Sequence, residues 1–184
     1  MADSDAQPDR SLLAQLARYG SHHGHPLNRA IHLLVDPLTV GLSFAVLDLL
    51  PVRVLGLGVG TLAYLGLAVH VSRLHVLGGA LTCAWIGAAS WAFASLAASA
   101  GGLRVCLGVG LCFFALQQLV GHQLVERRAP SYLVTHAGLS RLESLWESAA
   151  TGSLYWPMQV LFALGFEARL AAQLRAAEAR LREA

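Results

Sequence analysis

The stretch IHLLVDPLTVGLSFAVLDLL, Ile31 to Leu50, decides the fold. It has the roughly 20-residue length that a helix needs to cross the hydrocarbon core of a bilayer. Its only acidic residues are Asp36 near the start and Asp48 near the end, and Pro51 and Arg53 close it. Three further apolar runs follow at short intervals: Val54 to Val71, Val76 to about Ala100, and Val105 to Val125. A span surrounded by lipid satisfies its backbone hydrogen bonds internally, so each run is read as a helix. Their many Gly and Ala residues then become positions where helices approach closely. Gly56-Leu57-Gly58-Val59-Gly60 lacks the strand-turn-helix setting of a phosphate loop and reads as helix packing.

Outward from these runs the chain changes character. The segment before Asn28 is polar, with Leu12, Leu13, Leu16 and Ala17 forming one apolar stripe at helical spacing. Its acidic beginning is unlike the basic head of a signal peptide. Beyond Arg127-Arg128 the sequence is mixed up to about Gly152, and the apolar stretch Leu154 to Phe166 is too short to span unaided, so it reads as re-entrant or interfacial. The tail, Glu167 to Ala184, sets Leu170, Leu174, Ala177 and Leu181 on one face and arginines elsewhere, the pattern of an amphipathic surface helix.

Composition agrees. Of 184 residues 55% are apolar and only 13% charged, too little polar surface to coat a water-soluble globule, and mean hydropathy is +0.55. A net charge of +2 is too weak to suggest nucleic acid. Cys83, Cys106 and Cys112 lie within apolar runs, without disulfide or zinc-knuckle spacing, and read as packing residues. All basic residues are arginine. In a four-span arrangement Arg10, Arg18, Arg29, Arg73, Arg127, Arg128 and the tail share one side, with only Arg53 and Arg104 on the other. That bias predicts an integral membrane protein, of a bacterial inner membrane, with both termini cytoplasmic.

On this topology the eight histidines converge. His22, His23, His25 and His32 lie at the start of the first span, His70 and His75 at the end of the second, and His122 and His136 at or after the end of the fourth. All share the cytoplasmic side. Individually, each is explained as well by an ordinary interfacial hydrogen bond. His122 stands out because it follows Gln117-Gln118 and Gly121 inside an apolar helix, with Glu126 one turn on. Asp36 is four residues from His32, on the same helical face, where it either orients the imidazole or binds metal itself. Imidazoles, a carboxylate and an open position suit iron(II), with zinc and copper as alternatives. No serine-centred nucleophile elbow is present. The similarity of Arg53-Val54 and Leu57–Gly60 to Arg104-Val105 and Leu107–Gly110 suggests either low complexity or a duplicated hairpin that sets His70 and His122 at similar depth.

The stretch Tyr19-Gly-Ser-His-His-Gly-His-Pro-Leu-Asn-Arg-Ala-Ile-His32, taken with Gln118-Leu-Val-Gly-His-Gln-Leu-Val-Glu-Arg-Arg-Ala-Pro130, resembles the membrane 2-hydroxy-fatty-acid dioxygenases of phytosphingosine breakdown and their bacterial relatives. Leu161–Phe166 is similar to that family's C-terminal signature. The resemblance implies an iron(II) enzyme that uses dioxygen to shorten a 2-hydroxy fatty acid by one carbon. It implies His23, His32 and His122 as metal ligands, and Asn28 and Glu126 as supporting polar groups at the catalytic site. Several positions depart from the pattern. Gly152-Ser153 and Gln159 stand where the family has Ala-Pro and Glu, the segment from Pro130 to Leu154 is longer, and an Asp after Pro130 is missing, with His136 near its place.

The expected architecture is therefore all-α: a polytopic membrane helix bundle of about four transmembrane helices, a short re-entrant or fifth helix, and an amphipathic C-terminal helix. Residues 1–166 form the membrane domain and 167–184 the surface helix. The expected partners are the membrane, a lipid or 2-hydroxy fatty acid, and dioxygen, with no nucleic acid. The rival expectations are a relative acting on another lipid, such as an isoprenoid, and a non-enzymatic lipid- or haem-binding membrane protein.

Overall fold

The computed structural model describes residues 9–134 and 139–183, so His136 lies outside the described residues. Among them the chain forms seven α-helices: α1 (Leu12–Ser21), α2 (Pro26–Leu47), α3 (Val59–Leu74), α4 (Val76–Ala97), α5 (Gly102–Ala115), α6 (Arg141–Ala163) and α7 (Ala168–Glu183). A π-helix, Leu116–Glu126, continues α5 without a break. The all-α expectation holds, apart from a two-residue β-ladder in which Arg53–Val54 (β1) pairs with Leu57–Gly58 (β2).

Three helical segments are long and apolar enough to cross a membrane: Pro26–Leu47, Val76–Ala97 and Gly102–Glu126. The second expected span appears as α3, whose 16 residues rise only about 24 Å. It starts late because Leu55 and Gly56, both at positive φ, turn the chain into the β-ladder first. The corresponding Arg104–Gly110 segment lies wholly in α5, so the two similar sequences fold differently and do not form a duplicated hairpin.

Local chemistry fixes the helix ends. The imidazole of His25 accepts from the Leu27 N–H, and Pro26 begins α2 where its missing N–H costs nothing. At the other end of α2, Asp48 accepts from both the N–H and the hydroxyl of Thr61, tying α2 to the start of α3. Gly41 lets α4 lie directly on α2: a methyl there would fall 2.5 Å from the Ala89 Cβ.

The apolar stretch after Gly152 is part of a longer helix. It belongs to α6, which begins at Arg141 with a Ser140/Glu143 capping box, and its residues Leu154 to Met158 are buried in protein. Pro157 cannot donate to the Ser153 carbonyl, and the hydroxyl of Thr82 on α4 donates to it instead (3.3 Å). The α7 helix is amphipathic as expected. Its Leu170, Leu174 and Ala177 join the core cluster that contains Leu12, Leu13 and Leu16 of α1, so the two ends of the chain pack on each other.

Candidate metal centre

His23, His32 and His122 come together. One ring nitrogen from each lies within 4.8 Å of the others, all three residues are buried, and the ring centroids are 4.5 to 5.0 Å apart. They arrive from the α1–α2 loop, the second turn of α2 and the π-helix. Bonding from residue i to i+5 widens the π-helix, so residues four and five apart share a face; this brings Gln117, Gly121 and His122 together against α2. Gly121 is needed there, because a side chain would overlap the Asn28 carboxamide.

The outer nitrogens of two of the histidines are fixed. His23 Nδ1 bonds the Tyr19 carbonyl (2.9 Å) and His32 Nδ1 bonds Asp36 Oδ1 (2.9 Å). Their Nε2 atoms, and Nδ1 of His122, are buried with no hydrogen-bond partner among the described residues. Three lone-pair-bearing nitrogens aimed at one volume is the arrangement a metal ligand set needs, and an orphaned buried acceptor is otherwise costly. Burial holds the His23 imidazole well below the usual histidine range, with the neighbouring His32 adding to the effect, so the ring is neutral and free to ligate.

Asp36 is the hub behind these rings. Its Oδ2 accepts from the Tyr19 hydroxyl (2.9 Å) and from Trp156 Nε1, while its Oδ1 accepts from Gln117 Nε2 and pairs with His32. Four elements therefore meet on one carboxylate: α1, α2, the π-helix and α6. Of the two roles open to Asp36 in sequence, the geometry selects the orienting one. The Tyr19 phenol keeps its proton, because burial, reinforced by the Asp36 charge, pushes its pKa well up.

Glu126 stands beside the site, whereas Asn28 reaches it: its buried Oδ1 also has no hydrogen-bond partner among the described residues and lies with His32 Nε2 against Gly121. Glu126 accepts from the N–H groups of Gly24 (2.7 Å) and His25 (2.9 Å) and from Asn28 Nδ2 (3.2 Å). Its charge sits at the N-terminus of α2, where the helix dipole favours an anion, and it ties the loop carrying His23 to the π-helix carrying His122.

The other described histidines have separate duties. His22 Nδ1 bonds the Ala129 carbonyl (3.0 Å), His25 caps α2, and His75 caps α4 by accepting from the Gly78 N–H (2.9 Å). His70 lies against Trp146. Position along the chain alone does not separate His23 from its neighbours His22 and His25; the resemblance singles it out, and in the structure its ring is held by a bond from Nδ1 back to the Tyr19 carbonyl.

A cleft of about 190 Å³ opens from the three histidines. Gln117 and Gln118 of the π-helix, Val40 of α2, and Leu145, Ser148, Ala149, Gly152 and Ser153 of α6 line it, together with Pro130 and Ser131. No arginine is among its lining residues. Comparison of this chain with family models, curated proteins and solved structures gives no match.

Proposed function

We propose that this chain is an integral membrane iron(II) dioxygenase that shortens 2-hydroxy fatty acids by one carbon. The observation that carries the proposal is the trio of inward-facing, unpartnered nitrogens on His23, His32 and His122. A bound iron(II) supplies a centre for chelating the hydroxyl and carboxylate of a 2-hydroxy acid and for activating dioxygen. An imidazole that ligates a metal brings no negative charge, so the ion would keep its full charge to attract the substrate. Among the described residues the cleft lining holds no guanidinium, so a substrate carboxylate would find its countercharge at the metal centre.

The chain's own residues do the rest. Asp36 and the Tyr19 carbonyl hold the His32 and His23 rings in register, and Glu126 locks the His23 loop to the π-helix. Gln117 and Gln118 give the cleft polar groups near the histidines, and Ala149 and Gly152 provide small walls for an acyl chain. Four spans, with α3 the shortest, and cytoplasmic termini put this cleft at the cytoplasmic face, in keeping with the arginine bias.

A relative acting on another lipid is the second reading, favoured by one observation: Gly152 and Ser153, which depart from the family pattern, lie on the cleft wall. The haem reading is disfavoured, because centroids 4.5 to 5.0 Å apart leave no space for a porphyrin between any two of the rings.

The test is metal analysis of anaerobically purified protein followed by incubation with 2-hydroxypalmitate, iron(II) and dioxygen. The expected product is the fatty acid one carbon shorter, formed without an added oxoacid and abolished by removing oxygen or chelating iron. Longer chains bind more tightly, since each buried methylene contributes about 0.8 kcal/mol. Fully metallated protein that leaves every 2-hydroxy acid untouched in the presence of oxygen overturns the assignment.

A further inference from the structure

Both the π-helix and α6 pack on α2, but they are not packed extensively on each other, and the cleft runs in the gap between them. Its floor descends along one face of α2, from His32 through Asp36 to Val40, a drop of about 12 Å over two turns. Its α6 wall carries Leu145, Ala149 and Gly152, about one apolar or small residue per turn, with Ser148 and Ser153 beside them.

At the mouth this wall continues outward. Leu145 lines the cleft while remaining 46% exposed, and Leu142 (76%) and Trp146 (50%) extend the same apolar stripe on the first turns of α6. The other edge of the Trp146 ring meets His70, near the end of α3, with centroids 5.8 Å apart. That contact sets the stripe at the level where the membrane helices end rather than out in water. An apolar stripe at that depth, joined without interruption to a cleft that descends along a membrane helix, fits a lipid chain better than a soluble ligand.

We propose that the gap between the π-helix and α6 is a lateral portal through which a single long acyl chain enters the metal cleft directly from the cytoplasmic leaflet. The carboxyl end of the chain meets the histidines, while its methylenes lie against Val40, Leu145 and Ala149. This rests on the reading of the chain as a membrane protein with its cleft at one face. It does not depend on the dioxygen chemistry.

The test uses the full-length protein in phosphatidylcholine liposomes with a fatty acid that carries a photoactivatable diazirine at mid-chain, followed by mass-spectrometric mapping of adducts. Adducts are expected at Val40, Leu145 or Ala149. In Ala149→Trp, which plugs the cleft, adducts at Val40 and Leu145 fall by about tenfold or more, while zinc or iron stoichiometry is retained because the ligands come from other elements. If Ala149→Trp fails to fold, Leu145→Arg at the half-exposed mouth serves in its place. Adducts confined to the outer faces of α4 and α5, cleft labelling unchanged by the plug, or crosslinks between two copies through Leu142 and Trp146 would each overturn the portal. A labelled cleft in a protein that turns over no 2-hydroxy acid defeats the dioxygenase reading alone. An active protein with an unlabelled cleft defeats the portal alone.

Discussion

Replacing Asp36 separates its two duties, orienting His32 and holding four elements together. In Asp36→Ala the Tyr19 hydroxyl, Trp156 Nε1, Gln117 Nε2 and His32 Nδ1 all lose their acceptor. A buried donor left unpaired costs about 1–3 kcal/mol, so four of them cost roughly 4–12 kcal/mol, comparable to the whole stability of an ordinary domain. The alanine variant is therefore expected not to accumulate. Asp36→Asn keeps the shape and one acceptor oxygen but turns an NH2 group toward two of the donors. It is expected to fold with a lowered melting temperature, and to bind metal about 10- to 100-fold more weakly, the usual effect of losing the carboxylate behind a ligating histidine. Competition with a calibrated chelator, using zinc on detergent-purified protein, measures the affinity, and a thermal melt of the same sample measures the fold. If Asp36→Asn melts with the wild type and binds zinc within about twofold of it, the account of Asp36 as the ring-orienting hub is wrong.

Further predictions follow from the same geometry. Alanine at His23, His32 or His122 should abolish metal retention, measured by stoichiometry after gel filtration. His75→Ala should retain the metal while losing a helix cap, about 0.5–2 kcal/mol in the melt, together with the contact to Glu167 (3.5 Å). Gly121→Ala should displace Asn28 and reduce metal content even though alanine is the better helix former, a result that metal analysis separates from a simple helix effect. Burial raises the pKa of Glu178 on α7, whose carboxylate accepts from the Tyr155 hydroxyl (2.7 Å) and Arg182. Folding then takes up a proton, so this contribution to stability is full below the ordinary carboxylate value and is lost as pH rises through the raised folded value. Melts of wild type and Glu178→Gln across pH 4 to 8 should show the wild type losing ground to the variant as pH increases.

The sequence made the helical class and the histidine trio legible, for different reasons. Long apolar runs report helices because lipid forbids unpaired backbone, and His32 and His122 stand near span ends where topology alone brings them to one level. The resemblance added His23. Hydropathy carries no sign of the π-helix, since i to i+5 bonding changes the backbone repeat and not the composition, so the shared face of Gln117, Gly121 and His122 was not visible. Asp36 was visible as a partner of His32, but its bonds to Tyr19, Gln117 and Trp156 span up to 120 residues and depend on tertiary packing. The stretch after Gly152 did not show its neighbours, because a short apolar run looks the same whether protein or lipid covers it, and here α4 and α1 pack on the helix that contains it.

The three ligands are spread over 99 residues, with His122 at the end of the last long apolar segment, and the chain's two ends pack on each other through α1 and α7. During synthesis at a ribosome, His23 and His32 emerge first and wait for every intervening span to be inserted before their third partner appears. A nascent chain stalled anywhere before His122 holds only two members of the trio, so on the proposed reading metal capture is a late step of biogenesis.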